Sequence, residues 1–86
     1  MRTFPLSISS PDGSLFGGEI TKIALRGAEG DLAIMAGHVP FITSVKPCEF
    51  HLELEDGTVK KGRTEGGILT VSEESVIFLT GSMQWL

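Results

Sequence analysis

From Thr3 to Ser9 the chain alternates, with Phe4, Leu6 and Ile8 apolar and Thr3, Pro5, Ser7 and Ser9 between them. A period of two sends successive side chains to opposite faces, so the stretch predicts a strand with one face buried. Pro5 has no N–H to give to a ladder, which places this strand at an edge or Pro5 at an end. Ser10-Pro11-Asp12-Gly13 then carries the chemistry of a reversing turn. In the run that follows, Leu15, Phe16, Ile20, Ile23 and Leu25 are candidate core, and the Gly17-Gly18 pair suits a β-bulge or a close backbone approach. Further on, Phe50, Leu52 and Leu54 alternate with His51, Glu53 and Glu55, which puts His51 on the polar face. Asp56-Gly57 predicts a two-residue hairpin turn into a return strand over 58–64. Two β-branched runs, 68–72 and 75–80, are joined by a tight corner at Glu73-Glu74. No segment holds a period of 3.6 over a helical length. Seven or more short strands punctuated by turns predict an all-β fold, a small sandwich or barrel.

Composition narrows the class. With 86 residues there is room for one core, so residues 1–86 are expected to form a single domain. The hydrophobic content of 41% and charged content of 21% belong to a folded chain. Seven Lys and Arg stand against eleven Asp and Glu, a net charge of −4, and Lys46, Lys60, Lys61 and Arg63 are interleaved with acids and glycines. Without a basic stripe there is nothing to grip phosphates, which excludes nucleic acid as an expected partner. The single cysteine, Cys48, allows no internal disulfide and no thiolate cage, in keeping with a reducing compartment. No apolar run approaches the ~20 residues that span a bilayer, so any membrane association is expected to be indirect.

Candidate chemistry is sparse. His38 and His51 have no Cys or His at metal-ligand spacing, so no metal site is expected. Ser44, His38 and Asp31 can be written as a triad, but no nucleophile-elbow motif supports it, and no catalytic residue is expected. A histidine between glycine and Val-Pro reads as a residue that hydrogen-bonds the backbone of its turn. The glycines of 27–37 lack the GxxxxGK[ST] pattern and a following helix, so they do not form a phosphate loop. Gly27 and Gly30 shape a loop whose acids, Glu29 and Asp31, face water or present carboxylates to a basic partner. Cys48 is expected to be an inert, partly buried thiol. Met83, Trp85 and Leu86, placed beyond the last expected strand, either fold back on the sandwich or cover a binding face. A free-standing ligand-binding module would need an aromatic platform, whereas Phe4, Phe16, Phe41, Phe50, Phe78 and Trp85 sit mostly at core parity. Binding or assembly remains as the expected role.

The motifs together resemble a known family. Phe16 with Gly18, Gly27 with Gly30-Asp31-Leu32 and Ile34, Gly37-His38-Val39-Pro40, Lys46-Pro47, and later Gly66-Gly67-Ile68-Leu69-Thr70-Val71 stand in the order found in the N-terminal domain of the epsilon subunit of F-type ATP synthases, whose mitochondrial equivalent is called delta. The resemblance runs from about Phe4 to Thr80. It implies an antiparallel β-sandwich of about ten short strands and a non-catalytic central-stalk protein without a cofactor. Its implied partners are the gamma subunit and the ring of c subunits, at the cytoplasmic face of a bacterial inner membrane. By matching position it puts Ser10, His38 and Thr43 on the gamma-facing side and Glu29 and Asp31 on the loop that meets the ring, with the His38 ring bonding either within its turn or to gamma. The chain departs from the family at Met35-Ala36, where proline usually precedes Gly-His, at Cys48, where glycine is usual, and in ending at Leu86 without the C-terminal helical hairpin. Autoinhibition and nucleotide binding are therefore not carried over.

Overall fold

A computed structural model describes residues 2–86. Nine strands run through them: β1 (Phe4–Ser10), β2 (Gly13–Gly27), β3 (Gly30–Met35), β4 (Phe41–Val45), β5 (Cys48–Leu54), β6 (Val59–Thr64), β7 (Gly67–Val71), β8 (Val76–Thr80) and β9 (Met83–Trp85). The all-β expectation is met. Strand β2 organises the two layers, because its first half pairs with β1 and its second half with β3 and β5. The first layer is β4-β7-β8-β1 with the start of β2, and the second is β3 and the end of β2 followed by β5-β6-β9. All pairings are antiparallel except β1 with β8, which is parallel over Leu6↔Val76 to Ser9↔Leu79. A parallel neighbour requires a long crossover. Here that crossover is everything between the two strands.

The alternating rows bury as expected. Phe4, Leu6 and Ile8 of β1 join Leu69, Val76 and Phe78 of the same layer and Ile23, Leu52 and Phe50 of the other in one buried cluster. Pro5 lies at an end, before the ladder to β8 begins at Leu6. Ile20 and Ile23 are both fully buried although three apart, because Thr21 is an extra residue between Ile20↔Leu54 and Lys22↔Glu53. That bulge restores the phase of the buried row. The bulges of β2 therefore fall at Leu15 and Thr21, flanking the Gly17-Gly18 pair where one was expected.

Two local expectations change. The turn between β5 and β6 has three residues, since Gly57 N–H donates to the Leu54 carbonyl at 3.0 Å and Leu54 N–H to Thr58 at 2.8 Å. Gly57 takes φ 90°, and Asp56 Oδ1 accepts the Thr58 N–H at 2.8 Å, the pattern of a type I turn closed by a left-handed glycine. Met83 to Trp85 are also not beyond the last strand. They form β9, pair with β6 from Gly62↔Trp85 to Thr64↔Met83, and so fold back on the sandwich.

The layers are clasped at one end by buried hydroxyls. Thr64 Oγ1 and Thr80 Oγ1 are 2.7 Å apart, Thr80 donates to the Gly66 carbonyl at 2.8 Å, and Gly66 N–H donates to Thr64 Oγ1 at 3.0 Å. The Gly66-Gly67 pair follows from this. Gly66 holds φ 107°, and a Cβ on Gly67 would run into the Leu79 carbonyl.

Candidate protein-docking surfaces

Each layer has an outward row, and the two differ. On the first layer, Ile68 stands opposite Leu79 and Thr70 opposite Ile77, with Ile42 beside Thr70 on β4. These four apolar residues are exposed: Ile42 71%, Ile68 50%, Ile77 42% and Leu79 53%. Ser9, Ser10 and Pro11 continue the surface at the end of β1, where they line a shallow apolar groove with Ile68 and Leu79. On the second layer the outward row is ionic. Arg63 faces Glu49 at 3.9 Å, and Glu53 takes Lys22 at 3.8 Å and His51 at 3.7 Å. At the end of that layer, Lys60 Nζ lies 5.0 Å from the Trp85 ring and 5.7 Å from Phe16.

The β2–β3 hairpin projects acids from the base. Ala28 and Glu29 form its two-residue turn between the paired Gly27 and Gly30, and Glu29 is exposed. Asp31 belongs to β3, not to the loop, and Arg26 Nε donates to its Oδ1 at 2.9 Å across the hairpin. Glu29, Asp31 and Leu32 line an open groove of about 610 Å³ with Phe41, Thr43 and Ser44 of β4.

The five residues singled out from sequence fall in three places. Thr43 joins Glu29 and Asp31 in the basal groove, half-buried on the inward row of β4 opposite Leu69. Ser10 lies at the rim of the apolar face, its Oγ accepting the Asp12 N–H at 3.2 Å. His38 is engaged within the chain: Nδ1 lies 2.9 Å from the Met35 carbonyl and Nε2 2.6 Å from that of Ser72. Its ring meets Phe4 edge-on at 5.0 Å, so the residue ties the β3–β4 loop to the β7–β8 turn. His51 sits on the charged outer face, as expected, and Cys48 is half-buried. Sequence reasoning missed Ile42, Ile68, Ile77 and Leu79. The signal was present in Val76-Ile77-Phe78-Leu79, apolar at both parities: a strand on the surface of a two-layer slab can bury only one of its rows in the core.

Comparison with known proteins decides the family. The family model for the ATP synthase Delta/Epsilon chain β-sandwich domain matches residues 3–86. The chain belongs to this family. An epsilon chain described as sodium ion specific, from Acetobacterium woodii, is 39% identical over 83 residues, covering 96% of this chain and 62% of that protein. An ATP synthase epsilon chain of Clostridium perfringens is 31% identical over 85 residues, covering 99% of this chain and 64% of the relative. This delta/epsilon-type domain thus spans a little over six-tenths of the length of these relatives. The fold recurs in a chain of the Euglena gracilis mitochondrial ATP synthase (OSCP/F1/c-ring), with a TM-score of 0.91 at 21% identity over 99% of this chain and 54% of the other. It recurs again in the central stalk and c-ring assembly of the Tetrahymena thermophila enzyme, with a TM-score of 0.77 at 11% identity, covering 96% of this chain and 66% of the other.

Proposed function

We propose that this chain is the β-sandwich part of a non-catalytic epsilon subunit of a rotary ATP synthase, joining the gamma subunit to the c ring so that ion flow is coupled to ATP synthesis. The observation that carries the reading is the apolar outer row Ile42, Ile68, Ile77 and Leu79 on one layer of a slab whose other outer face is ionic. Apolar side chains gathered on one exposed face mark a surface that another molecule covers, and the stalk reading makes that molecule a protein. In this reading gamma covers that face, with Ser10 at its rim, while His38 acts from within by holding the two neighbouring turns in place. Glu29 and Asp31 meet basic loops of the ring, and Thr43 stiffens the groove behind them. Arg26 offsets part of the Asp31 charge, which leaves Glu29 as the freer carboxylate for the ring. The complex holds the chain peripherally at the cytoplasmic face of a bacterial inner membrane.

A rotor contact must transmit force without slipping. A two-layer strand scaffold suits that task, because strands hold loops with less play than loops hold themselves. The test is co-expression of the tagged chain with the gamma subunit of the same organism. Gamma is expected to co-purify with the native chain and to be lost with the Ile68→Glu/Leu79→Glu double variant. Native chain that captures no gamma would overturn the proposal.

A further inference from the structure

Among the described residues, no strand covers the two strand edges that border the basal groove. On one side, β4 pairs with β7 along its whole length but with β2 only at Gly27↔Val45. On the other, β3 pairs with β2 alone. Lys46 N–H points toward β2, donating to the Arg26 carbonyl at 3.0 Å. Main-chain directions alternate along a strand, so the N–H groups of Ser44 and Ile42 face the same way, into the groove, and β7 is served by Phe41, Thr43 and Val45.

Unpaired edges are normally guarded by charge, proline or brevity. Strand β9 is only three residues long, and β3 carries Asp31. Strand β4, Phe-Ile-Thr-Ser-Val, has five residues and none of these guards, and Ile42 is among its exposed side chains. The groove before it holds about 610 Å³, within the ~300–1,000 Å³ range of binding clefts. Its lining combines the apolar Leu32 and Phe41 with the carboxylates of Glu29 and Asp31.

We infer that the free edge of β4 is a strand-addition site for an extended, lysine- or arginine-bearing segment of a partner protein. The segment bonds the N–H and carbonyl of Ile42 and the N–H of Ser44, whose carbonyl already accepts the Thr43 hydroxyl at 3.0 Å; it sets alternate apolar side chains on Leu32 and Phe41 and directs a cation to Glu29 and Asp31. Main-chain bonds supply the affinity in such a mode, and the acids select the partner's charge. The inference rests on the stalk reading in one respect, the basic partner given to Glu29 and Asp31, but its test contains neither gamma nor a ring, so the two fail separately.

The test is a titration of the native chain with a blocked hexapeptide of alternating valine and threonine, lysine at each end. Two further probes carry N-methyl groups on the valine amides or on the threonine amides, each removing the donors along one edge of the extended peptide. The parent is expected to bind saturably and to slow hydrogen exchange at Ile42 and Ser44. One methylated probe should bind within about threefold of it, and the other at least tenfold more weakly. Glu29→Gln/Asp31→Asn should weaken the parent severalfold. Ile42→Pro, which deletes a donor on the unpaired side and spares the β7 ladder, should weaken it about tenfold. Should that variant lose its melting transition, the two methylated probes still decide. Equal binding of both methylated probes, undiminished binding of a probe ending in glutamate, no saturation at millimolar peptide, or self-association through β4 in sedimentation would each overturn the inference.

Discussion

The outer rows of the two layers are produced by the same alternation, yet one is apolar and the other ionic. On β5 and β6, Glu49, His51 and Glu53 alternate with the buried Phe50 and Leu52, and Lys61 and Arg63 stand across from them. Such a row is content in water, and its ion pairs are exposed enough to add little stability. On β7 and β8, Ile68, Ile77 and Leu79 alternate with equally apolar residues that fill the core. The hydrophobic core of the slab needs one row from each strand. A second apolar row, half exposed, adds less to folding of the isolated chain than the buried one, and in the proposed reading its reason lies in what covers it. The contrast separates residues that make the slab from residues that make it a component.

Substitutions can break this contrast in order of size. Leu69→Ala, in the core row shared by both layers, should cost about 2–5 kcal/mol in denaturant titration, because it leaves a cavity among fully buried neighbours. Leu79→Glu on the apolar outer row should leave the melting temperature within a few degrees while weakening gamma capture about 100-fold, or ~2.7 kcal/mol. Thr64→Val should cost about 1–3 kcal/mol without affecting capture, since it strips a buried hydroxyl from the Thr80 clasp and leaves the Gly66 N–H unpaired. Arg63→Glu on the ionic row should change capture less than about threefold. Glu49→Ala should shift stability by no more than about 0.5 kcal/mol, the scale of an exposed ion pair.

The smallest effect is one of pH. Hydrogen bonds from Thr58, its hydroxyl first and then its N–H, hold the Asp56 carboxyl below its ordinary value of 3.8. A depressed carboxylate favours the folded state above the unfolded value, and that favour fades as acid takes the pH below 3.8 and through the folded value. Melting curves should therefore show a slight loss on the acid side of that value, absent in Asp56→Asn.

Much of the slab was legible from period-two alternation, because Phe4, Leu6, Ile8, Phe50 and Leu52 obey it without interruption. What escaped was set by partners distant in sequence. The phase break at Thr21 is defined only by where β5 pairs, and the parallel seat of β1 beside β8 depends on the 65 intervening residues, 11–75, folding between them. Strand β9 is too short for a period to register and exists through its bonds to β6. Of the candidate site, the acids of the hairpin and the backbone role of His38 could be read from glycine spacing and turn chemistry. The apolar face was written in the double parity of β8, but alternation by itself does not say which of two apolar rows turns inward. The family resemblance named from Phe16, Gly-His and Gly-Gly was met by the family match, which covers residues 3–86.

The central claim is that the apolar row is the gamma-facing surface. Amide hydrogen exchange of the chain, alone and in complex with gamma, tests it most directly. The account predicts slowed exchange across β7, β8 and the β4 amides that bond β7, with Glu49, His51, Lys61 and Arg63 unchanged. Protection confined to β5 and β6, with β7 and β8 exchanging as in the free chain, would contradict it.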